Sequence, residues 1–236
     1  MSTHRSIAAL AGLFLWASIP ASLGQPPAKA SDAGTIPEWH GIAAVHSHHA
    51  DLAMLILEDE DHRTEPGKRL RAELRIREDQ PEKLARFLQK KVDPATKEED
   101  AADAINAMDA MEETFLAGFR KGLSDKQQAR FEELCCQFAG PMVLRLKYYA
   151  ARLHLSEAQR KRIIELVNTY DDKSGPFHRA LFVARSDEAV GSAQKKLVTL
   201  ARELDEKVLH VLTEKQRAEW LTLLGKRFDW KGILEE

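Results

Sequence analysis

Three short segments of this chain repeat one pattern, and that pattern leaves little freedom in what the chain can fold into. Leu123-Ser124-Asp125-Lys126-Gln127, Leu155-Ser156-Glu157-Ala158-Gln159 and Leu212-Thr213-Glu214-Lys215-Gln216 all read L-[ST]-x-x-Q. The agreement runs on downstream. Phe131, Ile163 and Trp220 each stand seven residues after the hydroxyl, and Leu134, Leu166 and Leu223 stand ten after it. A Ser or Thr followed three residues later by Gln is a capping box: the hydroxyl accepts an orphan N–H of the first helical turn, and the amide reaches back to the N-cap N–H. The Leu before each cap can pack onto the new helix. The usual staple partner is polar here (Gln128, Arg160, Arg217), so only an aliphatic stem serves. Offsets seven and ten share one helix face and point into a core. Ser124, Gln127, Ser156, Gln159, Thr213 and Gln216 are therefore expected as structural caps, each cap contributing about 1 kcal/mol.

Composition agrees with helices. Of 236 residues only 12 are Gly and 9 Pro, against 44% hydrophobic and 31% charged. The apolar share excludes wholesale disorder. A net charge of −2 excludes a polybasic nucleic-acid binder, so no nucleic-acid partner is expected. Periodicity places helices near 38–60, 81–92, 94–121, 124–138, 141–153, 156–172, 177–185, 188–211 and 214–224. Ala139-Gly140-Pro141 and Ser174-Gly175-Pro176 read as breaks. Residues 70–77 fit a strand by alternation and a helix by Leu70 and Leu74; a lone strand buries nothing, so a helix or connector is favoured. Phe228 and Trp230, beyond Gly225, are expected to fold back. The expected class is all-α, a multi-helix bundle of antiparallel amphipathic helices.

The N-terminus reads as an address. Arg5, the apolar run Ile7 to Trp16, the break at Pro20 and the small residues Ser22 and Gly24 describe a signal peptide over 1–24, cleaved near Gly24. The apolar run is too short to span a bilayer, which takes about 20 residues. Residues 25–36 form a flexible leader, and 37–236 a single helical domain with an N-terminal part, 37–122, and a repeat part, 123–236. The expected location is periplasmic or extracellular. Cys135 and Cys136 are adjacent, which is no CxxC motif. The expectation is one buried residue beside one partly exposed thiol, with an intermolecular bridge or a redox pair as alternatives.

The repeated segments resemble the LTxxQ signature of the Spy/CpxP-type envelope proteins. The closing stretch 212–228 is similar to a group of uncharacterised exported helical proteins that end in L-T-x-x-Q-x-x-x-W followed by Gly and Phe. The resemblance covers about 123–228. It implies a small exported all-helical protein, an ATP-independent chaperone or stress-sensing adaptor, often dimeric, with metal-binding relatives that use His residues. This chain departs from the small chaperones in its additional region 37–122 and its two Cys residues.

Five of nine His residues lie between 40 and 62: His40, His46, His48, His49 and His62. On a helix His46 and His49 face the same way, so they are the candidate metal pair for Zn, Cu or Ni, with His48, Glu58 and His62 as additional ligands. Against this, His49 lies on the apolar stripe of Ile42, Val45, Leu52 and Ile56. Residues 68–91 carry nine basic and four acidic residues, which fits an acidic partner, contact with an anionic membrane surface or a solvated helix face. No nucleophile-elbow, zincin, P-loop or Rossmann pattern occurs, so no catalytic residue, no cofactor and no enzyme is expected. The reading is a non-enzymatic, chaperone-like or adaptor-like protein holding an unfolded or envelope polypeptide on apolar helix surface, with a homodimer as a further partner. A metal-binding or metal-sensing envelope protein and a structural interaction module are the alternatives.

Overall fold

The structure, a computed structural model, describes residues 52–53, 56–57, 64–81, 83–84, 113–183 and 186–230. The segments 1–24 and 25–36, the residues His40, His46, His48, His49, Glu58 and His62, and the helix start expected at Asp93-Pro94 lie outside them. Every regular element among the described residues is helical and none is a strand, so the fold is an all-α multi-helix fold. The described parts of the helices expected at 38–60, 81–92 and 94–121 are helical.

The ambiguous stretch near residue 70 is a helix. Helix α1, Glu65–Leu74, starts at Thr64, whose hydroxyl accepts the Gly67 N–H at 3.2 Å, with Pro66 tolerated in the first turn. It stops because Arg75 turns left-handed, with φ 51, and the Ile76 N–H closes back on the Arg71 carbonyl at 2.9 Å. Leu70 and Leu74 are buried, and Arg71 Nε donates to the Ile56 carbonyl at 2.7 Å.

Helix α2, Asp125–Ala139, follows the first L-[ST]-x-x-Q segment. A 3₁₀ helix, Gly140–Arg145, and the short α3, Lys147–Arg152, replace the single helix expected over 141–153. Gly140 causes the break: its φ is +63, and an added Cβ would stand 3.2 Å from an Asp205 carboxylate oxygen. All residues from Leu134 through Leu146 are buried. This corrects the expectation for the cysteines. Neighbouring side chains on α2 do point about 100° apart, but the helix is enclosed there on every side, so Cys135 and Cys136 are both buried.

Helix α4, Glu157–Val183, corrects a second expectation, since it runs unbroken through Ser174-Gly175-Pro176. Proline removes one N–H and crowds the carbonyl four residues earlier, which usually ends a helix. Here Tyr170, Ser174 and Leu181 are buried on either side of Pro176, and the helix packs along α5, Asp187–Val211. Tertiary packing of that buried face outweighs the local penalty. Ser186 caps α5, accepting the Ala189 N–H at 3.3 Å. Both helices bury polar groups as well: Tyr170 and Ser174 on α4, Gln194 and Asp205 on α5. Burial, chiefly, pushes the Tyr170 phenol well above its ordinary pKa, with the Asp171 and Asp205 charges acting in the same direction. Helix α6, Glu214–Leu223, ends at Leu224, and Gly225, with φ +56, turns the chain into an irregular tail.

The described residues separate into two compact units, one up to Glu132 and one from Glu133 onward, the boundary falling within α2. In the first, Phe119 and Phe131 stack at 4.7 Å between ring centroids among Leu84, Phe115, Leu116 and Leu123. In the second, Trp220, Tyr149, Ile163, Leu197 and Val208 are the centre of burial.

Candidate functional site

The glutamines of the repeated segments carry more hydrogen bonds than a cap requires. In the second unit the Thr213 hydroxyl accepts the Gln216 N–H at 3.2 Å, and Gln216 Oε1 accepts the Thr213 N–H at 3.0 Å. Ser156 and Gln159 make the same two bonds, at 3.2 and 3.0 Å. The two amides then face each other. Gln159 Nε2 donates to Gln216 Oε1 at 2.8 Å, and Gln216 Nε2 donates back to Gln159 Oε1 at 3.2 Å. Each amide also takes a main-chain carbonyl just before the other's motif: Gln159 the Val211 carbonyl at 2.9 Å, Gln216 the Leu153 and His154 carbonyls at 3.2 and 3.3 Å. Two helix starts far apart in sequence are thus tied by one closed amide pair.

The first unit repeats this arrangement with a partner the L-[ST]-x-x-Q pattern misses. Gln127 Oε1 accepts the Ser124 N–H at 3.0 Å, and Gln127 pairs with Gln80 through reciprocal amide bonds of 3.1 and 3.2 Å. Gln80 Nε2 donates to the Gly122 carbonyl at 3.0 Å and Gln127 Nε2 to the Arg75 carbonyl at 3.1 Å. Gln80 closes the segment Ile76-Arg77-Glu78-Asp79-Gln80, a fourth copy in which Arg77 stands where the hydroxyl belongs; the Arg77 N–H still donates to Gln80 Oε1, at 3.3 Å. Even the approach is the same. Arg75 and His154 both turn left-handed just before their motifs, and the Ile76 and Leu155 N–H groups close on Arg71 and Ala150 at 2.9 Å each.

A signal for this fourth copy was present: Leu84 and Phe87 stand seven and ten residues after Arg77, at the offsets the other three share. Because Arg77 offers no hydroxyl, Arg77→Thr is expected to stabilise the first unit by about 0.5–1 kcal/mol. A rise in its urea midpoint would show the gain. An unchanged or lowered midpoint would mean that the exposed Arg77–Asp79 contact at 3.3 Å outweighs a cap.

Beside the second amide pair lies an open groove of about 520 Å³ between α3 and α6. Ala151, Leu153 and Leu223 line it together with Arg152, His154 and Glu219. At the matching positions of the first unit, counted from the paired motifs, Glu73 and Arg130 form an ion pair at 2.7 Å. The second unit places the opposite charges, Arg152 and Glu219, along its groove. Elsewhere Val183 is 74% exposed and Leu221 55%.

The basic stretch 68–91 is largely engaged by nearby groups where it is described. Lys68 meets Glu65 at 2.6 Å, Arg71 is buried, and Asp79 takes both Lys83 and Arg77. The hydrogen bond from Lys83, and then that from Arg77, hold the Asp79 carboxyl below the usual carboxylate range. Among the described residues no group of three or more His, Cys, Asp or Glu could hold a metal, and no helix is long and apolar enough to cross a membrane. The candidate metal pair His46 and His49 is outside those residues. No family model, no curated protein and no solved structure matches the chain.

Proposed function

We propose that this chain is an exported, non-enzymatic helical protein that holds a polypeptide partner on apolar helix surface, in the manner of a chaperone or an adaptor. The observation that carries the reading is the groove between α3 and α6. It is lined by Ala151, Leu153 and Leu223 and by charges of both signs, and Gln216 of α6 is bonded to the Leu153 and His154 carbonyls that follow α3. Such a groove suits an apolar side chain flanked by polar neighbours. The exposed Val183 and Leu221 add apolar surface of the same kind. The signal-like segment 1–24 and the resemblance to the Spy/CpxP-type proteins support the location and the class of activity.

The test is suppression of aggregation of a reduced model client by the purified mature chain, without nucleotide or metal. Suppression at near-stoichiometric ratios is expected, and Leu223→Glu, which puts a charge into the groove lining, is expected to weaken it at least fivefold while leaving the helical signal in circular dichroism intact. Equal activity of that variant would remove the groove from the account. No suppression by the unaltered chain would sink the reading itself.

A further inference from the structure

The tail after α6 is held through its main chain as well as through its side chains. Gln137, 2% exposed within α2, spends its whole amide on the main chain of this tail. Its Nε2 donates to the Leu224 and Lys226 carbonyls, the latter at 2.8 Å, and its Oε1 accepts the Phe228 N–H at 2.9 Å. The two carbonyls flank the turn at Gly225 that ends α6, with Leu224 still helical, and the Phe228 N–H opens the irregular run beyond it. Where a peptide is held through its backbone, side-chain pockets at every second position set specificity. The tail has that alternation too. Phe228 and Trp230 are buried while Arg227 and Asp229 are exposed. Trp230 stacks at 5.5 Å on Phe138 and at 4.8 Å, edge to face, on Phe228.

We propose that the surface of α2 around Gln137 and Phe138 is a peptide-binding site masked by the chain's own tail, and that it accepts a polypeptide segment that turns across Gln137 and carries large aromatic residues at alternate positions. The tail itself shows which chemistry fits. It is also an imperfect occupant, because among the described residues the buried Trp230 indole N–H has no hydrogen-bond partner, an uncompensated desolvation that a better-matched segment would avoid. Gly225, at φ +56 with Glu133 packed against the space a Cβ would fill, is the point about which the tail leaves α6. Occupation in cis amounts to millimolar local concentration for a short connection, so a free segment competes weakly until the tail lifts. This inference rests on the proposed polypeptide-holding function and gives that function a second, latent site.

The probe is a fluorescein-labelled synthetic peptide of the tail segment Leu224–Trp230, titrated by fluorescence anisotropy. The full chain carrying Phe228→Ala with Trp230→Ala is expected to bind it at least tenfold tighter than the unaltered chain, and adding Gln137→Met is expected to abolish that gain. Equal binding by the unaltered and tail-altered chains, or a gain that survives Gln137→Met, overturns the proposal. Should the tail-altered chain lose its helical signal, hydrogen exchange of the unaltered chain decides. The Phe228 amide is expected to exchange through local opening, well ahead of the Leu134 and Val208 amides, and exchange only with global unfolding overturns the proposal. Aggregation suppression without peptide binding at Gln137 would leave the proposed function standing and remove the masked site. Peptide binding without suppression would do the reverse.

Discussion

Truncating Trp220 to alanine is expected to destabilise the second unit by about 3–5 kcal/mol, the range for removing a fully buried large aromatic. Trp220 is 1% exposed and heads the largest fully buried side chains among the described residues. It stands seven residues after Thr213, so the capping box fixes the rotation of α6 that carries the ring inward. Domains of this kind hold roughly 5–15 kcal/mol in all, so this one change would leave the unit close to unfolding. Equilibrium urea denaturation monitored by circular dichroism measures it. Trp220→Phe keeps most of the volume and is expected to cost less than about half as much. A small shift for Trp220→Ala, near 1 kcal/mol, would show that the ring occupies a site able to collapse and that the offset-seven residue is not an anchor of the core. The first unit offers the parallel test at Phe131, which is fully buried against Phe119.

The starts of α2, α4 and α6 were legible because capping is local chemistry: the amide three residues on reaches back to the N-cap N–H in all three, and at α4 and α6 the hydroxyl accepts the N3 N–H as well. The burial of Phe228 and Trp230 was legible from hydropathy. The unbroken course of α4 through Pro176 was not, since only the length of α5 alongside it offsets the proline. Nor was the burial of both Cys135 and Cys136, which depends on what encloses α2. The amide pairs illustrate a finer limit. Each Gln was recognisable as a cap, but the motif says nothing of which cap faces which. Gln80 lies outside the L-[ST]-x-x-Q pattern because Arg77 carries no hydroxyl, whereas the paired amide and the apolar offsets are what the first unit retains. The groove between α3 and α6 and the Gln137 clamp join residues scores of positions apart, and no local pattern announces either.

Replacing Gln216 by methionine is expected to cost about 2–4 kcal/mol, far more than the ~1 kcal/mol of an ordinary cap. Methionine keeps the volume and helix propensity while deleting every polar contact. The loss has three parts: the reach back to the Thr213 N–H, the bonds to the Leu153 and His154 carbonyls, and the amide partner of Gln159. A thermodynamic cycle separates them. Thr213→Ala reports the hydroxyl alone, at about 1 kcal/mol. Gln159→Met leaves the buried Gln216 amide, and Gln216→Met the half-buried Gln159 amide, facing an apolar group. Together they remove both, so the double variant is expected to fall short of the summed single losses by about 1–2 kcal/mol. Additivity within about 0.5 kcal/mol would mean that the two amides merely lie near each other and that α4 and α6 begin independently. A coupling of the same size for Gln80→Met with Gln127→Met would establish the amide pair, rather than the hydroxyl cap, as the shared structural unit, because in the first unit one of the two segments has no hydroxyl to lose.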